Sequence, residues 1–209
     1  MSERRLVVVT AGLSQPSTTR LLADRLGDAT RRALDQRGDT TVVETIELRQ
    51  YAHDITDHLL TGFPSIKLRT AIDAVVSSDG LVAVTPIFTA SFSGLFKSFI
   101  DVLEAEMLVA KPVLVAATGG TERHSLTLDH ALRPVFGYLR AVVVPTGVFA
   151  ASGDWGNADS GDRLNARIER AAGELAALMS SPGAQLLPAR SPADAFDDPT
   201  PFEQLLRRR

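Results

Sequence analysis

The chain has 209 residues, 44% hydrophobic and 22% charged, with 22 Lys and Arg against 25 Asp and Glu for a formal charge of −3. This balance sits with folded globular chains and away from disordered ones, and so small a negative charge excludes a whole-protein field for nucleic acid. The absence of Cys removes disulfides, thiolate metal sites and cysteine nucleophiles. Residues 1–180 are expected to form one domain and the Pro-rich residues 181–209 a tail, read first as a partly disordered end and alternatively as an arm whose Phe196 and Phe202 dock on a partner subunit. The apolar run at residues 6–9 is too short for a signal-peptide core, and no run approaches a membrane span, so the expected location is the cytoplasm.

Apolar, β-branched runs at residues 6–9, 81–84, 113–117 and 142–144 read as strands covered on both faces. Residues 41–48 alternate apolar and polar side chains at Thr45, Ile46, Glu47 and Leu48, as an edge strand does. Pro145 cannot donate to a ladder and marks the run at 142–144 as the other edge. Helical periodicity fills the intervals. Leu22, Leu26, Ala29 and Ala33 stripe residues 18–36, and Leu68, Ile72 and Val75 stripe a helix opened by Pro64; further helices are expected at 93–105, 125–139 and 159–179.

Five alternations of strand and helix predict a parallel sheet with right-handed crossovers and helices on both faces. With strands two and five outermost, the order is 2-1-3-4-5: an α/β, three-layer, doubly wound, five-stranded flavodoxin-like sheet. In that arrangement a ligand lies beyond the carboxyl ends of the strands, where the winding reverses. The loops after strands one, three and four are therefore the place to seek function.

The first of these loops, residues 10–19, holds Gly12, Ser14, Ser17, Thr18 and Thr19 immediately before a helix. Free first-turn amides and the positive end of the macrodipole favour a phosphate there; capping by Ser17 alone would need only one of these hydroxyls. Neither G-x-x-x-x-G-K-[ST] nor G-x-G-x-x-G follows a strand. A hydroxyl-rich loop without the P-loop lysine suits the phosphate of flavin mononucleotide, FMN.

The loop after the third strand carries Pro86, Phe88, Ser91, Gly94, Phe96, Lys97 and Asp101, and resembles the P-x-[YF]-x-x-S-x-x-G-x-[LF]-K-x-x-x-D signature of the NADPH-dependent FMN reductase family. The first loop resembles that family's hydroxyl-rich phosphate loop, and residues 117–124 with Leu132 and Arg133 are similar to its glycine-rich segment after strand four. The resemblance spans residues 4–179. It implies a homodimer or tetramer that reduces FMN with NADPH or NADH, most similar to reductases paired with luciferase-type flavin-dependent monooxygenases. It places the phosphate on Ser14, Ser17, Thr18 and Thr19 and the isoalloxazine against Pro86, Ile87, Phe88 and Thr89. Thr118, Gly119 and Gly120 line the ring's other edge, with His124 at flavin or nicotinamide. Relatives often carry Arg where Ser14 stands and Asn where Thr19 stands, so this chain's loop is less positive.

Hydride transfer between stacked cofactors requires no side-chain acid or base, and no catalytic side chain is assigned. Sparse aromatics, with Phe88 alone expected beside the ring, imply weak stacking and a flavin that is released as a substrate. Arg123 is the candidate for an adenosine phosphate, since a guanidinium matches phosphate geometry. His53, Asp54, Asp57 and His58 read as a solvated turn in preference to a metal site, so no metal is expected. Lys97 and Asp101 read as a helical pair, His130 as a surface residue, and Trp155 as packing or as a cap on a neighbour's flavin. Residues 93–105 and 125–139 are apolar on more than one stripe, which predicts burial against a second subunit. The alternatives are an FMN-containing quinone or azo reductase, a non-enzymatic flavodoxin-type electron carrier, and a flavin-binding regulator.

Overall fold

The computed structural model describes residues 2–155 and 158–181. The outer tail, residues 182–209, with Phe196 and Phe202, lies outside the described residues. Strands are β1 (Glu3–Thr10), β2 (Thr40–Glu47), β3 (Gly80–Phe88), β4 (Ser91–Phe92), β5 (Pro112–Gly119), β6 (Val142–Val143) and β7 (Val148–Ala151). Helices are α1 (Thr18–Asp35), α2 (Ala52–Thr61), α3 (Ile66–Ser77), α4 (Gly94–Asp101), α5 (Arg133–Tyr138) and α6 (Ala158–Ser180).

The sheet runs β2-β1-β3-β5-β6, and β7 continues along β5 beyond β6. All these pairings are parallel. Counted by position, this is the expected 2-1-3-4-5 order, with β2 and β6/β7 at the edges. The strand count differs: the fifth position holds two short segments, β6 against Pro112 and Val113 and β7 against residues 116–119. Pro145 lies in the gap, where its missing N–H costs no ladder bond. The other addition is β4, which folds back antiparallel on the end of β3, pairing Ile87 with Phe92 and Phe88 with Ser91.

Side-chain alternation along the strands divides the core. Leu6, Val8, Val82, Val84, Leu114 and Ala116 face α1 and α6, while Val7, Val9, Leu81, Ala83, Val113 and Val115 face α2 to α5. On the first face, Leu22, Leu26 and Ala29 of α1 meet Leu164, Ile168, Ala171, Leu175 and Met179 of α6, all buried. Met179 crosses so closely that a Cβ at Gly80 would sit 2.5 Å from its Sδ.

The second face is built from shorter pieces and departs from the periodicity. Residues 52–61, expected as a turn, form α2, although only Ile55 of this helix is fully buried. The helix expected over 93–105 stops at Asp101, with Val102 and Leu103 buried in the turn that follows. The helix expected over 125–139 becomes a π-helical turn at Leu128–Leu132 followed by α5, after a 3₁₀ turn at Glu122–His124. Apolar side chains needed for packing thus extended both patterns past the helical backbone. No described helix is long and apolar enough to cross a membrane.

Candidate flavin site

The loops after β1, β3, β5 and β7 enclose a cleft of about 320 Å³. From the first come Leu13, Ser14, Ser17, Thr18 and Thr19, from the second Pro86, Ile87 and Phe88, from the third Thr118, Gly119 and Gly120, and from the last Ala150, Ser152 and Trp155. Ten of the sequence-expected residues are thereby brought together. Thr89, Arg123 and His124 do not line the cleft: Thr89 is exposed in the β3–β4 turn, and Arg123 and His124 lie on the 3₁₀ turn beyond Gly120.

The phosphate loop is shaped by close contacts. A Cβ on Gly12 would sit 2.1 Å from Ser17 Oγ, so glycine lets the loop pass under the start of α1 with the Ser17 hydroxyl where it stands. Ser17 caps α1, its Oγ accepting from Arg20 N at 3.2 Å, which leaves its O–H able to donate outward. The amides of Thr18 and Thr19 precede any helical acceptor. Thr19 is buried, and its hydroxyl is hydrogen-bonded to that of Thr118 at 2.8 Å, tying α1 to β5. Thr19 thus acts through its amide and as a brace. Thr10 Oγ1, in the last residue of β1, is buried and has no protein partner.

Among the described residues, no charged side chain lines the cleft. Arg20, the nearest cation in sequence, is held by Asp24 at 2.7 Å and Glu47 at 2.5 Å, and the Asp24 hydrogen bond raises its pKa further. The polar groups that these residues offer to the cleft are hydroxyls and helix-end amides. At the other end, Thr89 and Ala90 form the two-residue β3–β4 turn with φ of 47° and 64°. Left-handed backbone at a β-branched residue costs on the order of 1 kcal/mol. The turn holds Phe88 at the mouth of the cleft, 48% exposed. Ser93 braces the hairpin from behind, its N–H donating to Thr85 Oγ1 at 3.1 Å and its Oγ capping α4.

The sequence profile of the NADPH-dependent FMN reductase family matches residues 4–156. The chain belongs to this family. It is 34% identical over 177 residues to an FMN reductase (NADPH) of Pseudomonas aeruginosa, covering 83% of this chain and 91% of that protein. It is 36% identical over 168 residues to the NADH-dependent FMN reductase SfnE of Pseudomonas putida, covering 80% and 88%. The crystal structure of an oxidoreductase from Corynebacterium diphtheriae superposes with a TM-score of 0.82 at 49% identity, covering 85% of this chain and 97% of that one.

The donor set fits a phosphorylated flavin. Hydroxyls and free amides share the cleft with the apolar residues Ile87, buried, and Phe88, exposed, and with Gly119 and Gly120. Gly120 has no heavy atom within 4 Å of a would-be Cβ, and one on Gly119 would strike Phe149 at 2.8 Å. The second glycine leaves open space and the first is fixed by packing. Leu13, Ala150 and Ser152 line the cleft without having been assigned to the site, and Trp155, expected as packing or as a cap on a neighbour's flavin, lines it within its own chain. Trp155 is half-buried against the α1–α6 core as well as lining the cleft, so Phe88 is not the sole aromatic there.

The remaining candidates fall elsewhere. His53, Asp54, Asp57 and His58 lie along α2, and no cluster of three potential ligands occurs among the described residues. Lys97 and Asp101 form the expected pair on α4, at 2.5 and 2.7 Å. They border a second, larger groove of about 510 Å³ between α4 and α5, with Ile100, Leu103, Val135 and Tyr138.

Proposed function

We infer that this NAD(P)H-dependent FMN reductase uses the cleft at the carboxyl ends of β1, β3 and β5 to hold FMN for hydride transfer from NADPH or NADH. The observation that carries the site is the union of hydroxyls, free helix amides and an apolar wall in one opening that no charged side chain of the described residues lines. Ser14, Ser17 and Thr18 would donate to the phosphate, with the Thr19 amide beside them. Pro86, Ile87 and Phe88 would give the flat wall, and Thr118, Gly119 and Gly120 the opposing backbone. Thr89, Arg123 and His124 stand outside the lining, where they can meet the ring edge and the pyridine nucleotide.

The flavin supplies the hydride-accepting chemistry. Among the described residues no titratable side chain lines the cleft, which supports a chain that contributes positioning, with the accompanying proton coming from solvent. At about 320 Å³ the cleft is at the lower end of ligand pockets, about 300–1,000 Å³, and leaves one face of the ring open for nicotinamide. Incomplete enclosure and uncharged anion recognition support a flavin that exchanges, as a supplier of reduced flavin to a flavin-dependent monooxygenase in the cytoplasm requires. Oxidation of NADPH and NADH, each with and without added FMN, tests the reading. FMN-dependent turnover with bleaching of the flavin band is expected; nucleotide oxidation that is absent with FMN present would overturn it.

We also propose that the α4–α5 groove joins two copies in a homodimer. Its apolar walls and Tyr138, 79% exposed, support this. Light scattering should show a dimer or its multiple, and Tyr138→Glu should shift it toward monomer without unfolding.

A further inference from the structure

Trp155 is the only tryptophan in the chain, and it stands in the wall of the cleft that also holds Ser14, Ser17 and Thr18. Its ring is not free to turn. The Arg25 guanidinium of α1 lies 5.0 Å from the ring centroid in a cation–π stack, and the indole packs on the α1–α6 core. The turn that carries it is tied down as well, Asp154 accepting from the Ala151 amide at 2.8 Å. Yet the indole N–H, a donor only, has no hydrogen bond among the described residues. A held donor without a partner among the described residues thus shares one cleft with the Ser14, Ser17 and Thr18 hydroxyls, and no charged side chain of the described residues lines it.

We propose that Trp155 belongs to the flavin site of its own chain: its indole N–H donates to the flavin's phosphoryl group, and Arg25 positions the ring that does so. The proposal rests on the cleft being a flavin site. It names a specificity element, since riboflavin has the same ring system and ribityl chain but no phosphate. The N–H therefore favours FMN over riboflavin at a place where hydroxyls and helix amides are the other donors.

The test compares FMN and riboflavin binding by equilibrium dialysis for the wild type, Trp155→Phe and Arg25→Gln. Trp155→Phe keeps an aromatic ring and removes the donor. Hydrogen bonds to charged groups are among the stronger ones, so FMN affinity should fall about tenfold while riboflavin affinity changes less than about twofold. Arg25→Gln frees the ring and should give a smaller loss with the same selectivity. Equal weakening of both flavins, or no weakening of either, would overturn the proposal. A second readout needs no variant. Inorganic phosphate alone should shift the emission of the single tryptophan of the wild type at millimolar concentrations, sulfate likewise and chloride not; an emission that no oxyanion shifts counts against it. If the wild type binds neither flavin, the flavin site itself fails, an outcome distinct from lost selectivity.

Discussion

At the carboxyl end of the sheet the loops leave polar groups free, whereas at the amino end the chain consumes its own. Arg4 lies 3.8 Å from both Asp39 and Asp79, the Arg5 amide donates to Asp79 at 2.7 Å, Ser180 Oγ donates to Asp39 at 2.8 Å, and the buried Lys111 ammonium donates to the Ser78 carbonyl. Above, Ser14, Thr18, the first amides of α1 and the Trp155 indole have no such ties. The same fold therefore keeps stability and ligand binding at opposite ends. Substitutions below should change stability and leave flavin affinity alone; those above should do the reverse.

The largest effect should come from Lys111. Burial lowers its pKa from the usual 10.5 to about 8, with Asp79 partly opposing. Between these values the unfolded chain binds the extra proton, so stability rises with pH across that window, and the cost is fully present below it. At about 1.4 kcal/mol per pKa unit the span is at most about 3 kcal/mol. Denaturation at pH 7 and pH 10 should show wild type gaining on Lys111→Met by a margin of that order, and an equal difference at both pH values would break the assignment.

Gly80→Ala should cost about 1–3 kcal/mol, because the new methyl overlaps Met179, with KM for FMN unchanged; a raised KM would show that the two ends are coupled. Gly12→Ala tests the opposite end. Its Cβ cannot coexist with Ser17 Oγ where it stands, so dialysis should show at least about tenfold weaker FMN, about 1.4 kcal/mol, with little change in melting. Thr118→Val leaves the buried Thr19 hydroxyl unpaired and should cost about 1–2 kcal/mol. This last variant sharpens the contrast, since it touches both properties: KM for FMN should rise a few-fold as the α1 terminus loosens.

Strands β1, β3 and β5 were legible because each is an unbroken apolar run, and a parallel order followed from the helices between them. That alone directed attention to the three loops that do meet at the cleft. The second face was harder. Helix α2 shows little periodicity because it buries one residue fully, Ile55, and leaves Leu59 and Leu60 exposed. Trp155 packs on the core as expected, but its place beside the cleft was hidden by the strand before it. With the fifth strand ended at Val144, Trp155 stands far down a loop; the ladder actually resumes at Val148 and runs to Ala151, four residues away. The signal was present in the apolar residues 148–151, past a proline that resembled a terminus.

The interrupted fifth position also has a consequence for how copies can meet. β2 offers an eight-residue rim, while the opposite rim is split into stretches of two and four residues. Fibre growth by strand addition needs a template at both borders of every unit. A molecule with one serviceable border can add a neighbour there and then stop, so this fold resists end-to-end polymerisation by geometry.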